Sequence, residues 1–269
     1  MSFDGIVGNA AALGRLRALA ESGRPAHAYL FCGPDGVGKR LAAEAFLRAL
    51  GTDVRVIERP PDRHEILIAQ VREVIRGLGL TSDRPRGVIF DEADRMSEEG
   101  MNALLKTLEE PPPRTVLILV SSMPERLLPT VRSRCQRILF FPLPGEEMVR
   151  YARETLGLGE EDARFLAALA DGSVGTAREL AGKLEEVRAR ARELQERALS
   201  GELNPIVEGL SKIKDTDEAR RAARRDLHLL ARALRDALEA RLRGRPPLWA
   251  APGWVERVAS LDEDEILER

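Results

Sequence analysis

The stretch Tyr29–Arg40, reading YLFCGPDGVGKR, leaves this chain little freedom of fold. A short apolar run (Tyr29, Leu30, Phe31, Cys32) has the character of a buried strand. It breaks into a turn carrying Gly33, Gly36 and Gly38 and ends on Lys39. Leu41, Ala42, Ala45, Phe46 and Ala49 then recur at helical spacing. Strand, glycine turn, lysine and helix reproduce the phosphate-loop pattern G-x-x-x-x-G-K-[ST] up to its last position. Backbone N–H groups in such a turn, with the positive end of the following helix, cradle phosphate oxygens. The last position is the exception: Arg40 stands where a hydroxyl residue belongs.

The rest of the N-terminal half extends the same architecture. Leu13, Leu16 and Leu19 mark an amphipathic helix over Ala10 to Ala20, and Asp53 to Ile57 alternates as a second strand. Ile68, Val71, Ile75 and Leu78 mark a helix ending near Gly79. Gly87 to Phe90 is a third strand that runs into Asp91-Glu92-Ala93-Asp94. Ser97 can cap the next helix, whose apolar face is Met101, Leu104, Leu105 and Leu108, and Pro111-Pro112-Pro113 stops it. Val116 to Val120 is a continuous apolar strand, Arg126 to Arg132 a short helical stretch broken by Pro129, and Arg137 to Phe141 a last strand. Strands alternating with helices predict a parallel α/β sheet, and the fully apolar strands among them fit a sheet covered on both faces.

From Glu146 onward the strand signal disappears. Three short helices are expected at Glu146–Leu156, Glu160–Ala170 and Gly175–Lys183. Long charged helices should follow at Leu184–Leu199, Pro205–Ile213 and Asp217–Arg243, with a shorter one at Trp254–Leu261. Their Leu227, Leu230, Leu234 and Leu238 stripe suits internal packing or oligomer contacts equally. The domains expected are therefore 1–143, 144–183 and 184–269.

Composition excludes several classes. A net charge of −2 supplies no global basic field, so any DNA contact is local or shared. Cys32 and Cys135 are the only cysteines, too few for a disulfide framework or a four-thiolate zinc site, and are read as buried small hydrophobes. His27, His64 and His228 show no catalytic or metal-ligand spacing. No apolar run approaches the roughly 20 residues that span a bilayer, and MSFDGIVGN lacks a signal-peptide core, so a cytoplasmic protein is expected.

Downstream of a phosphate loop, the acidic pair in VIFDEAD takes on chemical meaning. Asp91 would hold Mg²⁺, directly or through water, and Glu92 would orient and deprotonate an attacking water. Ser121 or Ser122 could contact the γ-phosphate or that water, or simply mark strand-end polarity. Arg40 opposes a working site: a guanidinium cannot coordinate a metal, and its charge would repel one, unless it points into solvent from the helix start. Arg134, in SRC, is either a surface charge or a finger that reaches a neighbour's γ-phosphate.

Several motifs fall in one order: HAYLFCGPDGVGK, VIFDEAD, NALLKTLEEPP, LLPTVRSRCQ and GSVGTARELAG. Together, across roughly Gly5 to Leu180, they resemble the clamp-loader branch of the AAA+ ATPases, and within it the stator kind of subunit. The resemblance implies a RecA-like ATPase domain, a three-helix lid and an all-α collar that joins subunits in a hetero-pentameric ring. That ring, in the DNA polymerase III holoenzyme, opens the sliding clamp and places it on primed DNA. A stator implies no ATP turnover of its own, and its SRC arginine, here Arg134, would serve a motor neighbour in trans. Gly33, Gly36, Gly38, Lys39, Asp91 and Glu92 would form a degenerate nucleotide site, binding ATP or ADP weakly. Gly175 stands where motor subunits carry the lid arginine, and Arg178 comes three residues late. The family's four-cysteine zinc module has no counterpart in GTDVRVIERPPDRHEILIAQVR, so zinc is not expected. The competing expectation is an active motor whose Mg²⁺ is held by Asp91 and water.

Overall fold

The computed structural model describes residues 3–60, 62–79, 84–199, 217–244, 255–256 and 260. Contacts divide the chain into two compact units, Met1–Pro144 with Gly172–Gly175, and Gly145–Asp171 with Thr176–Arg269.

Among its described residues the first unit has five strands: β1 (Ala28–Cys32), β2 (Asp53–Ile57), β3 (Arg86–Phe90), β4 (Thr115–Ser121) and β5 (Gln136–Leu139). They lie in the order β2-β3-β4-β1-β5, and every pairing is parallel. β1 and β4 are buried along their whole length because alternate side chains enter two different cores. Leu30, Cys32, Leu117 and Leu119 pack with Val71, Val74 and Leu78 of α3 (Ile68–Gly79) and with Met101, Leu104 and Leu108 of α4 (Glu98–Glu109). On the other face Tyr29, Phe31, Ile118 and Val120 pack with Leu13 and Leu16 of α1 (Ala10–Ser22) and with Ala42, Phe46 and Leu47 of α2 (Lys39–Ala49). The edge strand β2 keeps only the alternation of its one covered face, Asp53 and Arg55 being exposed.

Local chemistry sets the element ends. Ser97 caps α4 as expected, its hydroxyl accepting from the Gly100 N–H at 3.2 Å. β5 stops at Leu139, short of the expected Phe141, because Asn9 takes both polar groups of Phe141. Its Oδ1 accepts the Phe141 N–H at 2.7 Å, and its Nδ2 donates to the Phe141 carbonyl at 3.1 Å. The helical stretch expected over Arg126 to Arg132 is divided. A 3₁₀ turn at Pro124–Arg126 is followed by extended Leu127 and Leu128, and α5 (Pro129–Arg132) starts on Pro129, whose missing N–H costs nothing at a helix start.

The second unit is helical: α6 (Gly145–Glu154), α7 (Glu160–Ala170), the body of α8 (Val174–Ala181), α9 (Leu184–Leu199) and α10 (Asp217–Arg243). Met148, Tyr151, Phe165, Leu166 and Leu169 are buried between α6 and α7. The Arg188 guanidinium lies 4.7 Å from the Phe165 ring centroid and pairs with Asp162 at 2.7 Å. α9 packs on α10, where Arg190 forks onto both oxygens of Asp226. The leucine stripe is not the buried face of α10: Leu227 and Leu234 are exposed, whereas Leu229, Ala233 and Ala237 are buried. Small residues on that side let another helix approach closely, which leucine spacing alone does not reveal. The helix expected at Pro205–Ile213 lies outside the described residues, as does most of Trp254–Leu261. No described helix is long and apolar enough to cross a membrane.

Both cysteines are buried. Burial pushes the Cys135 thiol up to about 12 and raises that of Cys32 too. The thiolate is the nucleophile, so neither should react in the folded protein. Iodoacetamide at about pH 8 is expected to leave the native chain unmodified while alkylating both thiols after denaturation. Labelling of the native chain at the denatured rate would contradict this packing.

Candidate nucleotide site and finger arginine

β1 delivers the glycine turn to the C-terminal end of the sheet, beside the ends of β4 and β5, where ligands of parallel α/β sheets bind. Gly33, Gly36 and Gly38 all have positive φ, at 151°, 73° and 95°. A Cβ on Gly33 would collide with the Phe140 carbonyl oxygen, and one on Gly36 with the Ser173 hydroxyl. The loop is therefore tied to a second segment of the unit, Gly172–Gly175. Gly175 donates its N–H to the Gly36 carbonyl at 2.9 Å, and a Cβ at Gly175 would stand 3.0 Å from Gly36 Cα. Any side chain at position 175 would thus press on the phosphate loop. The Arg178 Nε donates to the Tyr151 hydroxyl at 2.7 Å.

Lys39 begins α2 and is 6% exposed. Its ammonium donates to the carbonyls of Gly33 and Pro34, each at 2.6 Å, and lies 3.7 Å from Asp35. Burial lowers its pKa, opposed by Asp35 and Asp91.

Arg40 does not extend freely into solvent. Its Nε donates to Glu44 at 3.2 Å, and its Nη1 reaches Glu58 and, at 3.3 Å, Asp91 Oδ2. The side chain is 43% exposed, while Asp91 is half as exposed at 21%. Burial raises the Asp91 pKa, and the Arg40 charge pulls it back. The carboxylate that ends β3 thus already has a cation, and that cation is covalently part of the chain. Glu58 was not anticipated, although it immediately follows β2, where the Ile57–Phe90 register sets it beside Asp91.

Glu92 adopts a left-handed backbone, φ 51°. Its carboxylate pairs with Arg59 at 3.3 Å and Arg95 at 3.5 Å. A carboxylate that must take a proton from water is poorly served by two adjacent guanidiniums, which compete for its lone pairs. Ser121 is fully buried and donates to Asp94 at 2.5 Å, and the Ser122 N–H donates to the same oxygen at 3.0 Å. Of the two readings of these serines, strand-end structure is the one their bonding follows.

Arg134 is placed apart from this constellation. Its Nη1 donates to the Thr130 carbonyl at 2.8 Å and Nη2 to Glu109 at 2.5 Å, with 34% of the side chain exposed. Neither the loop nor Asp91 nor Glu92 is among its described partners.

Residues 51–144 match the family model described as DNA polymerase III, delta subunit. The DNA polymerase III subunit delta' of Pseudomonas aeruginosa is 34% identical over 219 residues, 70% of this chain and 66% of that protein. The delta' subunit of Bacillus subtilis is 34% identical over 46% of this chain and 44% of its own length. The gamma/tau subunit of Mycobacterium tuberculosis is 30% identical over 71% of this chain but 38% of its own length. The chain thus spans no more than about two thirds of each of these relatives. Among solved structures, the Thermotoga maritima RuvB Holliday junction branch migration motor superposes with a TM-score of 0.55 at 18% identity, covering 69% of this chain and 64% of that one. At that identity the match speaks for the fold alone, and it agrees with the RecA-like AAA+ architecture. The chain belongs to the clamp-loader AAA+ family of DNA polymerase III subunits, as a homologue of delta-prime.

Proposed function

We propose that this chain is a non-hydrolysing stator subunit of a DNA polymerase III clamp loader. It helps to open the sliding clamp and load it on primed DNA, and it lends Arg134 in trans to a neighbouring ATPase subunit. The observation that carries the reading is Arg40 on Asp91. A P-loop ATPase needs a hydroxyl and an acidic residue on Mg²⁺. Here the hydroxyl is missing and a guanidinium already neutralises the acid, so the donor set does not fit the metal. Glu92, held by Arg59 and Arg95, and Lys39, bonded to carbonyls of its own loop, support the same reading.

In this reading residues 1–143 are the AAA+ domain, 144–183 the lid and 184–269 the collar. The partners are motor and clamp-opening subunits in a hetero-pentameric ring, with clamp and primer-template DNA reached through the complex. No nucleotide or zinc is required, ATP or ADP binds weakly at most, and the protein works in the cytoplasm. The rival, an active motor, draws on the retention of Asp91 and Glu92.

Magnesium separates the two. Arg40→Ser would leave Glu58 and Asp91 without this cation, whereas Glu44 keeps Arg48. At a concentration tenfold above its Kd, Mg²⁺ should then stabilise the variant by about 1.4 kcal/mol, on the order of 3 °C in melting temperature. The wild-type chain should show no such shift. Equal stabilisation of the wild type would favour the motor.

A further inference from the structure

We infer that Glu109 is the positioning residue for Arg134, fixing how the guanidinium is presented to a phosphate outside the chain; this rests on the in-trans reading of Arg134 above. Glu109 is the last residue of α4, inside NALLKTLEEPP, a motif to which nothing else in the site gives a role. A carboxylate is unfavourable at a helix C-terminus, where the backbone carbonyls already concentrate negative charge. The position therefore calls for a nearby cation, and Arg134 supplies it at 2.5 Å.

The other partners of Arg134 complete a fixed socket. Thr130 and Ser133 lie in and just after α5, and Thr130 offers a carbonyl from the end of that helix, where no intrahelical partner remains. The Nη1 contacts, to the Thr130 carbonyl at 2.8 Å and Ser133 Oγ at 3.4 Å, and the Nη2 contact to Glu109 hold both arms of the planar group. Nη1 commits its two N–H bonds to Thr130 and Ser133, whereas Nε is not among these donors and Nη2 keeps a second N–H, so donors remain for an external oxyanion. A long arginine would otherwise spread over many rotamers, and pre-setting one of them reduces the ordering cost of engaging a phosphate.

The pair is half exposed, 34% for Arg134 and 50% for Glu109. Exposed pairs contribute little to folding. A stability role thus explains this placement poorly, whereas orientation explains it directly. A carboxylate could instead sequester the guanidinium from a phosphate. The multidentate socket favours presentation, since sequestration needs Glu109 alone.

The test uses the chain of 269 residues reconstituted with ATPase partner subunits, clamp and primed DNA, comparing Glu109→Gln, Glu109→Asp, Arg134→Ala and the double variant Glu109→Gln/Arg134→Ala. Glu109→Gln should lower kcat for ATP about three- to fivefold with KM unchanged, and Glu109→Asp should restore part of it. In the Arg134→Ala background Glu109→Gln should have no further effect, since it acts through the arginine. Unchanged or raised turnover in Glu109→Gln, with Arg134→Ala still impaired, would overturn the positioning role and leave the finger standing. An equal drop in both backgrounds would also overturn it, as a purely structural effect. No loss in Arg134→Ala would instead remove the finger reading itself.

Discussion

Replacing Arg134 by alanine is expected to lower ATP hydrolysis at the one site it completes by about 10³-fold or more, the scale on which arginine fingers stabilise phosphoryl-transfer transition states. Clamp loading on primed DNA should fall with it, while assembly of the complex survives. The separation follows from the surroundings. Arg134 makes its contacts at the surface, to Thr130, Ser133 and Glu109, and an exposed ion pair contributes only ~0–1 kcal/mol to stability. The loss is thus too small to unfold the unit and far too small to account for a thousandfold kinetic effect. Single-turnover hydrolysis and clamp loading, measured beside assembly by size-exclusion chromatography, check it. Loading at the wild-type rate would show that the arginine serves another purpose.

The largest effect on stability should come from Gly33→Ala. Gly33 sits at φ 151°, a conformation costly for any L side chain. The added Cβ would meet the Phe140 carbonyl oxygen and stand 3.1 Å from Phe140 Cβ. The obstacle is backbone, bonded back to β1 through the Phe140 N–H to Cys32 carbonyl at 2.7 Å, so it cannot rotate aside. Destabilisation of about 2–4 kcal/mol follows, roughly 10 °C in melting temperature at the ~2–4 °C per kcal/mol typical of domains this size. Gly14→Ala is the control: its Cβ meets nothing within 4 Å inside α1, and alanine favours a helix, so the change should be neutral or mildly stabilising. Equal melting of the Gly33→Ala variant and the wild type would mean that the loop does not hold this approach.

Much of the first unit was legible in the sequence because its signals are local. The run Tyr29–Cys32, the glycines after it and the apolar period of α2 each act within a few residues, and VIFDEAD places Asp91 at a strand end whatever its neighbours. What escaped notice depends on residues far apart in the chain. Arg40 reads as a lost hydroxyl, but its pairing with Glu58 and Asp91, unlike the local one with Glu44 a helical turn away, arises only when β2 and β3 lie side by side. Glu58 carries no motif of its own. The contact of Gly175 with Gly36 needs the Gly172–Gly175 segment folded against the loop, and Ser121 could be assigned to Asp94 only once β4 was seated beside the acidic turn. In α10 the leucine stripe left internal packing and oligomer contacts equally open, and the buried side, Leu229 with Ala233 and Ala237, was not marked because alanines are weak markers of periodicity.

These distant pairings also sharpen the account of the phosphate loop. Lysine and glycine cradle are kept, and the metal's place beside Asp91 is met by an arginine from within the chain. On the proposed stator reading the catalytic chemistry lies in a neighbour, with Arg134 as the contribution made to it.

ATP turnover by the purified chain, in Mg²⁺ and with primed DNA, tests that assignment most directly. The account predicts no hydrolysis above the spontaneous rate. DNA-stimulated turnover that Asp91→Asn abolishes would contradict it.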